Sequence, residues 1–313
     1  MRRRAAESAY FSRYGGLWID RRDAEAEVGR RLDSREIVPS DADLLRQFIR
    51  GGFVILPGAV PTEVCDAFEH EISEAWINGD ERLKVQVAGS SGYEPLRAGT
   101  RTERARVVDS YVYYDSARRA LFAEPILRFL RLIFERTPLL FQSLSFDQGS
   151  EQGMHQDTAY VVTSSPLELA ASWVALEDVQ PGSGELMYYV GSHRLPDYHF
   201  SGQFKHWNPE RDGSREHDEW SALIHTNAQR LGLEHQTFMP KKGDALIWAS
   251  DLAHGGSPVS DRSHSRRSLV GHYCPEGVRP HYFEYAPQHR GIVRCGNAIY
   301  ASGHYVVEPA RGG

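Results

Sequence analysis

The sequence predicts a mostly β protein with flanking helices, built as one antiparallel sandwich or barrel. Two observations carry this expectation. Helical periodicity is concentrated before about residue 138, whereas short β-type runs separated by Gly, Pro, Ser and Asp dominate after it. No helix alternates with each strand, which disfavours a doubly wound α/β sheet. The predicted strands are Leu139–Phe146, Met154–Thr163, Ala171–Leu176, Leu186–Val190, Gln236–Met239, Ala245–Trp248 and Arg267–Tyr273.

The composition is that of an ordinary globular protein. The chain has 313 residues, 41% of them hydrophobic, and a formal net charge of −6. This charge gives no broad attraction to phosphate backbones and argues against a nucleic-acid partner. The longest apolar runs, Phe53–Leu56 and Ala170–Leu176, are too short to cross a bilayer. Three cysteines without C-x-x-C spacing exclude a disulfide framework, so we expect a soluble, cytoplasmic protein with no membrane partner.

The N-terminal region begins with a charge-dense stretch. Residues 1–39 are expected to form a peripheral arm, and a domain is expected over residues 40–275. Ser40 is placed as an N-cap and Gly51 as a C-terminal stop, with apolar residues at helical spacing between them. The run Phe53–Leu56 then predicts a strand that ends at Pro57-Gly58.

A second helix is predicted from Pro61, with one apolar stripe that ends at Trp76. Cys65 lies on this stripe and is therefore expected to be buried rather than reactive. After a polar, Gly-rich stretch over residues 80–105, a strand is expected over Val107–Tyr114. Residues 116–135 read as a helix that Pro125 breaks or kinks.

A polar stretch with scattered aromatic residues, 197–230, breaks the strand rhythm. Loops of this length in a compact domain are usually functional lids or disordered segments, so a lid-like insertion is expected here. Residues 276–313 are expected to form a C-terminal extension that packs on the domain or on a partner subunit, which leaves a homo-oligomer open.

The tripeptide His155-Gln156-Asp157 is the most informative local pattern. In a strand, side chains two residues apart point to the same face, so His155 and Asp157 are able to grip one ion together. His254, just after the strand Ala245–Trp248, is the candidate third ligand. Two imidazoles and one carboxylate leave the opposite side of the ion open, as in non-haem Fe(II) oxygenases.

This pattern has competing interpretations. One H-x-D is expected by chance in a chain with 14 histidines, so the tripeptide alone also fits a surface strand pair. The rival segment His217-Asp218-Glu219 offers H-x-E but has no strand pattern around it, which indicates a solvated loop.

Arg266, at the start of a predicted strand, is the second candidate feature. Its guanidinium presents a rigid fork that matches a carboxylate, which is what binding the distal end of 2-oxoglutarate requires. The neighbouring Arg267 is expected on the opposite face of the strand. Trp173 is expected either to wall the cosubstrate pocket or to lie in the core. Arg101, Arg104 and Arg106 give a weak indication of an acidic substrate, against the alternative of a solvated charged face.

The sequence resembles the phytanoyl-CoA dioxygenase family of iron(II)/2-oxoglutarate oxygenases. The resemblance covers about residues 40–275. The matching segments are Phe48–Gly58, Met154-His155-Gln156-Asp157-Thr158, Gly184–Arg194, Lys242–Trp248, and His254-Gly255-Gly256-Ser257 with Arg266 and His272. Val190 departs from the family, which has a proline there.

The resemblance implies a double-stranded β-helix, a cupin-like jelly roll with the iron inside. It implies His155, Asp157 and His254 as the iron ligands. It also implies an arginine on the 2-oxoglutarate carboxylate, and Arg267 stays an alternative to Arg266 because the spacing from His254 is one residue longer than expected. Trp173 and Gln142 match positions that line the cosubstrate pocket. The cofactors implied are Fe(II), 2-oxoglutarate as cosubstrate and O₂.

The function expected is hydroxylation of an unactivated C–H bond in a small-molecule or acyl substrate, with release of succinate and CO₂. Asp157 favours hydroxylation or desaturation over chlorination, because related halogenases carry a small residue in its place. The alternatives are a non-catalytic cupin-like metal- or ligand-binding protein and a zinc hydrolase that works without O₂.

Overall fold

The computed structural model describes residues 9–87, 92–99 and 105–308. Its helices are α1 (Ala24–Asp33), α2 (Pro39–Gly51), α3 (Thr62–Asn78), α4 (Asp115–Leu121), α5 (Glu124–Phe134), α6 (Pro209–Arg230) and α7 (Tyr282–Tyr285). Its strands are β1 (Phe53–Leu56), β2 (Asp80–Val87), β3 (Glu94–Leu96), β4 (Ala105–Val108), β5 (Pro138–Phe146), β6 (Ala170–Ala175), β7 (Leu186–Tyr189), β8 (His235–Phe238), β9 (Ala245–Ala249), β10 (His254–Gly256), β11 (Ser268–Pro275), β12 (Val293–Cys295) and β13 (Ala298–Tyr300).

Two sheets build the β part. The larger has ten strands in the order β1-β9-β6-β11-β5-β4-β2-β3, with β13 parallel to β5 and antiparallel to β12. The smaller has the order β10-β7-β8 and is antiparallel throughout. The predicted jelly-roll fold is therefore confirmed, although the two sheets do not close into a complete barrel.

Helices cover one face of the ten-stranded sheet with a large apolar core. Phe48 of α2, Phe68 of α3 and Phe129 of α5 are each at most 1% exposed and belong to one buried cluster. The rings of Phe48 and Phe129 lie 5.2 Å apart in a tilted arrangement. Burial of each such side chain contributes on the order of 2 kcal/mol. This layer therefore stabilises the packing of the helices on the sheet. Cys65 is part of it and is buried, as predicted.

The N-terminal residues contribute to this same core. Leu17, Trp18 and Val28 belong to the cluster that contains α2 and α3, and the Trp18 indole donates to the Leu132 carbonyl. Their packing does not fit a merely peripheral arm. Helix α2 begins at Pro39 rather than after a Ser40 cap, because proline suits the first turn, where amides have no helical acceptor.

Two predicted elements around the sheet are placed differently, and a predicted helix break is confirmed. The strand expected over Val107–Tyr114 ends at Val108, where Asp109 adopts φ 48° and turns the chain. The stretch 80–105 contains β2 and β3. Its polar composition gave no strand pattern in the sequence. The helix expected over 116–135 is broken in two at residues 122–123, just before Pro125.

Two corrections bear on the site. No strand runs over 154–163: His155 makes one isolated bridge, and Asp157–Ala159 form a single 3-10 turn because the Gln156 carbonyl accepts from Ala159 N. The stretch 197–230 is not a loop throughout, since α6 fills its second half. The Asn208 side chain caps this helix by accepting from the amides of the first turn.

The C-terminal residues pack against the first residues of β5, where β13 pairs with Leu139 and Leu140. Val278, Phe283 and Ile299 form a buried cluster with Leu139 and Cys274. The division of the chain at residues 39 and 275 stays a prediction. None of the helices in the described parts of the chain is both long and apolar enough to cross a membrane.

Candidate metal centre and cosubstrate pocket

A cavity of about 460 Å³ lies against the inner face of the ten-stranded sheet. Alternate residues of neighbouring strands point into it, because side chains two apart share a face. Gln142 of β5, Trp173 of β6 and His272 of β11 line one side, and His254 of β10 lines the other. The three predicted ligands and Arg266 also line this cavity.

The main chain brings two of the predicted ligands together. His155 and His254 face each other in an antiparallel bridge, with both backbone N–H···O bonds at 2.9 Å. The imidazole centroids lie 4.4 Å apart. Gln156 is extended (φ −114°, ψ 135°), so Asp157 returns to the side of His155 although no strand continues there. The expected same-face geometry therefore holds over a single residue pair.

The three side chains converge on one point. One potential ligand atom from each of His155, Asp157 and His254 lies within 4.8 Å of the others. Asp157 Oδ1 lies 3.8 Å from His155 Nε2 and 3.6 Å from His254 Nε2. All three residues are buried. Such a two-histidine, one-carboxylate set suits a divalent first-row metal with open positions on its other side.

Hydrogen bonds fix the orientation of both imidazoles. Nδ1 of His155 lies 2.8 Å from the Gly153 carbonyl, and Nδ1 of His254 lies 2.9 Å from the Leu252 carbonyl. A carbonyl only accepts, so each Nδ1 carries the proton and each Nε2 presents its lone pair to the common point. Burial, with His254 nearby, lowers the pKa of His155 to about 3, which keeps its ring neutral.

Two side chains from the sheet contact the second carboxylate oxygen of Asp157, Oδ2. Trp248 of β9 donates its indole N–H to Asp157 Oδ2 at 2.8 Å, and His272 Nε2 lies 3.6 Å from the same oxygen. Burial alone would raise the pKa of Asp157, but the imidazoles of His254 and His272 outweigh it and lower the pKa. The carboxylate is thus ionised, with Oδ1 turned to the two histidines.

Arg266 is a buried cation without a carboxylate partner among the residues the structure describes. It is 3% exposed, its Nε has no hydrogen bond, and its amino groups make only contacts of 3.4 Å to Ser268 Oγ and 3.5 Å to the Gln148 carbonyl. Burial lowers its pKa to about 10. A buried guanidinium normally has an anionic partner, so this one is set up to receive an anion from the cavity.

Arg267 lies on the opposite face of the sheet. Its Nη1 donates to Glu69 Oε1 of α3 at 3.0 Å, and its backbone N–H donates to Glu177 Oε1. Arg267 does not line the cavity that holds the triad. The geometry therefore favours Arg266 over Arg267 as the carboxylate-binding residue.

Trp173 and Gln142 both line the cavity, as the family pattern implied. The guanidinium carbon of Arg266 lies 5.5 Å from the Trp173 ring centroid, within range of a cation–π contact. Trp173 also belongs to a buried cluster with Phe238 and Val270. Trp173 therefore both packs in the core and lines the cavity next to Arg266.

The insertion over residues 197–230 reaches the cavity through Tyr160. His217 of α6 lies 2.5 Å from the Tyr160 hydroxyl, and Trp220 packs edge-on against the Tyr160 ring. The Tyr160 ring in turn lies 5.6 Å from that of His155. His217 is therefore not in a solvated loop, and its place in the helix keeps it out of the triad.

A buried ion pair supports the turn that carries Asp157. Lys205 Nζ lies 2.6 Å from Asp251 Oδ2 and 2.9 Å from Asp197 Oδ1. The other oxygen of Asp251 accepts from Thr158 Oγ1, and its carbonyl accepts from Gln156. This network fixes the residues on both sides of Asp157.

Sequence reasoning assigned no role to Trp248, His272 or the Lys205 network. A signal existed for His272, since it lies an even number of residues after Arg266 and so shares a strand face with it. The contact of Trp248 with Asp157 depends on the pairing of β9 with β6, which no local pattern indicates.

Comparisons with known proteins agree with this geometry. The family model described as phytanoyl-CoA dioxygenase (PhyH) matches residues 48–268. The epimerase SnoN, in complex with Fe³⁺, alpha-ketoglutarate and nogalamycin RO, is similar with a TM-score of 0.57 and 19% identity over 77% of this chain and 86% of that one. A sequence comparison with curated proteins gives no significant match.

Two further solved structures share the fold. EctD from S. alaskensis in its apoform has a TM-score of 0.53 and 16% identity over 79% of this chain and 80% of its own. HygX from Streptomyces hygroscopicus, with nickel and 2-oxoglutarate bound, has a TM-score of 0.51 and 17% identity over 75% and 87%. The family match spans well over half of the sequence. The chain belongs to the phytanoyl-CoA dioxygenase family.

Proposed function

We propose that this protein is an Fe(II)- and 2-oxoglutarate-dependent oxygenase. The reaction is hydroxylation of a C–H bond in a small-molecule or acyl substrate, with release of succinate and CO₂. One observation carries the proposal: His155, Asp157 and His254 converge in a buried cavity that also holds the unpaired guanidinium of Arg266.

The donor set fits iron(II). Two neutral imidazole nitrogens and one carboxylate oxygen form one face of a coordination sphere, and the cavity lies on the other side. Cysteine is absent from the cavity lining in the described residues, which disfavours a thiolate zinc site. When bound, iron(II) supplies the activation of O₂, with electrons from the oxidative decarboxylation of 2-oxoglutarate.

Arg266 supports 2-oxoglutarate as the cosubstrate. Its guanidinium is planar and offers a fork of donors that matches a carboxylate. Pairing with the distal carboxylate gives Arg266 the anionic partner that it lacks among the described residues, with the Trp173 ring beside it. The related folds of SnoN and HygX were crystallised with alpha-ketoglutarate and 2-oxoglutarate.

Asp157 and its neighbours hold the geometry for this reaction. Trp248 keeps Oδ2 of Asp157 occupied, so Oδ1 stays directed at the two Nε2 atoms. The carboxylate also fills the position that a small residue leaves open in related halogenases, which supports hydroxylation rather than halide transfer. Trp173 and Val270, which belong to one buried apolar cluster, form an apolar wall of the cavity beside the triad.

The test is spectroscopic and then chemical. Fe(II) and 2-oxoglutarate added to the protein without O₂ are expected to give a visible charge-transfer band, which His155→Ala abolishes. Admission of O₂ is then expected to yield succinate. A protein that forms the band but never produces succinate with any substrate is the non-catalytic binding protein, and activity with zinc and without O₂ indicates the hydrolase.

A further inference from the structure

A second arginine points into the same cavity. Arg106 of β4 lines it together with Gln86 of β2. Arg106 pairs in register with Phe146 of β5, which pairs with Ser268 of β11. Neighbouring strands lie about 4.8 Å apart, so the Cα of Arg106 is about 10 Å from that of Ser268. Arg106 on β4 and Arg266 just before β11 thus enter the cavity from strands that are separated by β5.

In the described parts of the chain, no carboxylate compensates the charge of Arg106. Its Nε and Nη2 donate to Gln86 Oε1 at 2.8 and 2.5 Å, and Gln86 is neutral. Among the described residues Arg106 has no ion-pair partner, and Asp157 is the only acidic residue of the cavity lining. The proposed ligands do not change this. Iron(II) would be balanced by Asp157 and one carboxylate of 2-oxoglutarate, and Arg266 by the other carboxylate. One positive charge then remains among the lining residues that the structure describes.

The space beside Arg106 extends beyond the metal centre. An adjoining cavity of about 250 Å³ shares Tyr93, Gln142 and Tyr160 with the main one and is lined further by Tyr282 and Tyr285. Tyr93 is 42% exposed and Tyr285 is 70% exposed, which is unusual for large aromatic side chains grouped at one opening. This annex gives room for a substrate body larger than a simple two- or three-carbon acid.

We propose that the substrate is an organic carboxylate whose anionic group pairs with Arg106. The rest of the molecule lies between the metal centre and the tyrosine-lined annex. The single remaining charge matches a monoanion. Nη1 of Arg106 makes no hydrogen bond to a described residue, so it is suited to a charge-assisted hydrogen bond with a ligand carboxylate. This inference rests on the proposed oxygenase function, because the charge balance includes iron(II) and 2-oxoglutarate.

The experiment measures binding to the anaerobic Fe(II)–2-oxoglutarate complex of the full chain. The probes are straight-chain carboxylates from acetate to decanoate, arylpropanoates and N-acetyl amino acids, each paired with its primary amide. Binding is read from the change in the visible charge-transfer band and from the shift in melting temperature. If the band does not form in the wild type, the proposed function fails. If it forms, the acid–amide comparison tests the present inference alone.

Wild type is expected to bind at least one acid at least about tenfold more tightly than its amide, as a charged hydrogen bond implies. Arg106→Gln is expected to remove this preference, and Arg106→Lys to restore part of it. The matched control is Arg82→Gln: this arginine of β2 is exposed, pairs with Asp80 and does not line the cavity. It is expected to behave as wild type.

Three results would overturn the inference. The first is equal binding of acids and amides, or no binding of any acid in the panel. The second is an Arg106→Gln variant that keeps the acid preference. The third is an Arg106→Gln variant that weakens 2-oxoglutarate as strongly as loss of Arg266 does, since Arg106 would then bind the cosubstrate. A normal melting temperature of the variants excludes misfolding as the cause.

Discussion

The two faces of the ten-stranded sheet are built from the same strands but differ in chemistry. On the helix-covered face, Leu269 and Tyr273 of β11 join an apolar cluster with Phe68. On the cavity face, Val270 and His272 of the same strand line the metal centre. Successive side chains of β11 therefore point alternately into the apolar core and into the cavity.

The neighbouring arginines show the same division most clearly. Arg267 is paired with Glu69 on the helix-covered side, whereas Arg266 is buried on the cavity side and forms no ion pair with a described carboxylate. A charge that is satisfied within the protein contributes to folding, and one left unsatisfied is available for a ligand. Substitutions on the two faces should therefore have separable effects.

The largest effect is expected on the cavity face at Asp157. Asp157→Ala removes the only carboxylate of the triad, and succinate formation should fall by at least about a thousandfold, as expected when several kcal/mol of metal catalysis is lost. The measurement is 2-oxoglutarate-dependent succinate release with Fe(II). Asp261→Ala, in an exposed loop outside the cavity, is the control and should keep full activity. Normal turnover by Asp157→Ala would contradict the triad.

The helix-covered face should respond in stability instead. Phe68→Ala leaves a hole between α3 and the sheet and is expected to lower the free energy of unfolding by about 3–5 kcal/mol. Urea unfolding measures this. At temperatures where the variant is still folded, its Fe(II) and 2-oxoglutarate affinities should match wild type. A parallel loss of metal affinity would show that the two faces are coupled.

The arginine pair gives the sharpest contrast. Arg266→Gln is expected to raise the Kd of 2-oxoglutarate about a hundredfold, the size of a strong charge-assisted contact. Arg267→Gln should leave that Kd unchanged and lower stability by about 1 kcal/mol, since its ion pair with Glu69 is only partly buried. Titration of the charge-transfer band and urea unfolding measure both. The reverse result would place the cosubstrate at Arg267.

The smallest effect is expected at Trp248. Trp248→Phe deletes the donor to Asp157 Oδ2 and should weaken Fe(II) binding about tenfold, the lower end for groups that orient a metal ligand. Trp76→Phe, a buried tryptophan of α3 on the helix-covered face, is the control. Equal metal affinity in the two variants would mean that His272 alone holds the carboxylate. Competition with a chelator measures the affinity.

Much of the fold followed from local pattern. Helices α2 and α3 carry apolar stripes, and most strands from β5 onward are short apolar runs between turn residues, so periodicity was enough to find them. Helix α6 was missed because only Trp220, Ile224 and Ala228 of its 22 residues are buried. Three apolar positions among so many charged residues do not give a recognisable helical periodicity.

The site was predictable where it depends on neighbours in sequence. His155 and Asp157 share a face because a single extended residue separates them. His254 was a candidate because it follows a predicted strand, and the family pattern added Gln142 to the pocket residues. The contacts of Trp248 and His272 with Asp157, and the choice between Arg266 and Arg267, depend on strand register and on which face of β11 is covered. Those are long-range properties that spacing alone does not contain.

The main-chain bridge between His155 and His254 has a consequence for redesign of the centre. The distance between the two positions is set by peptide groups, not by the imidazoles, so it persists when either side chain is exchanged. Cysteine or glutamate introduced at one of these positions would be held at the same backbone spacing. The metal preference of the site would then be set by the donor atom of the new side chain.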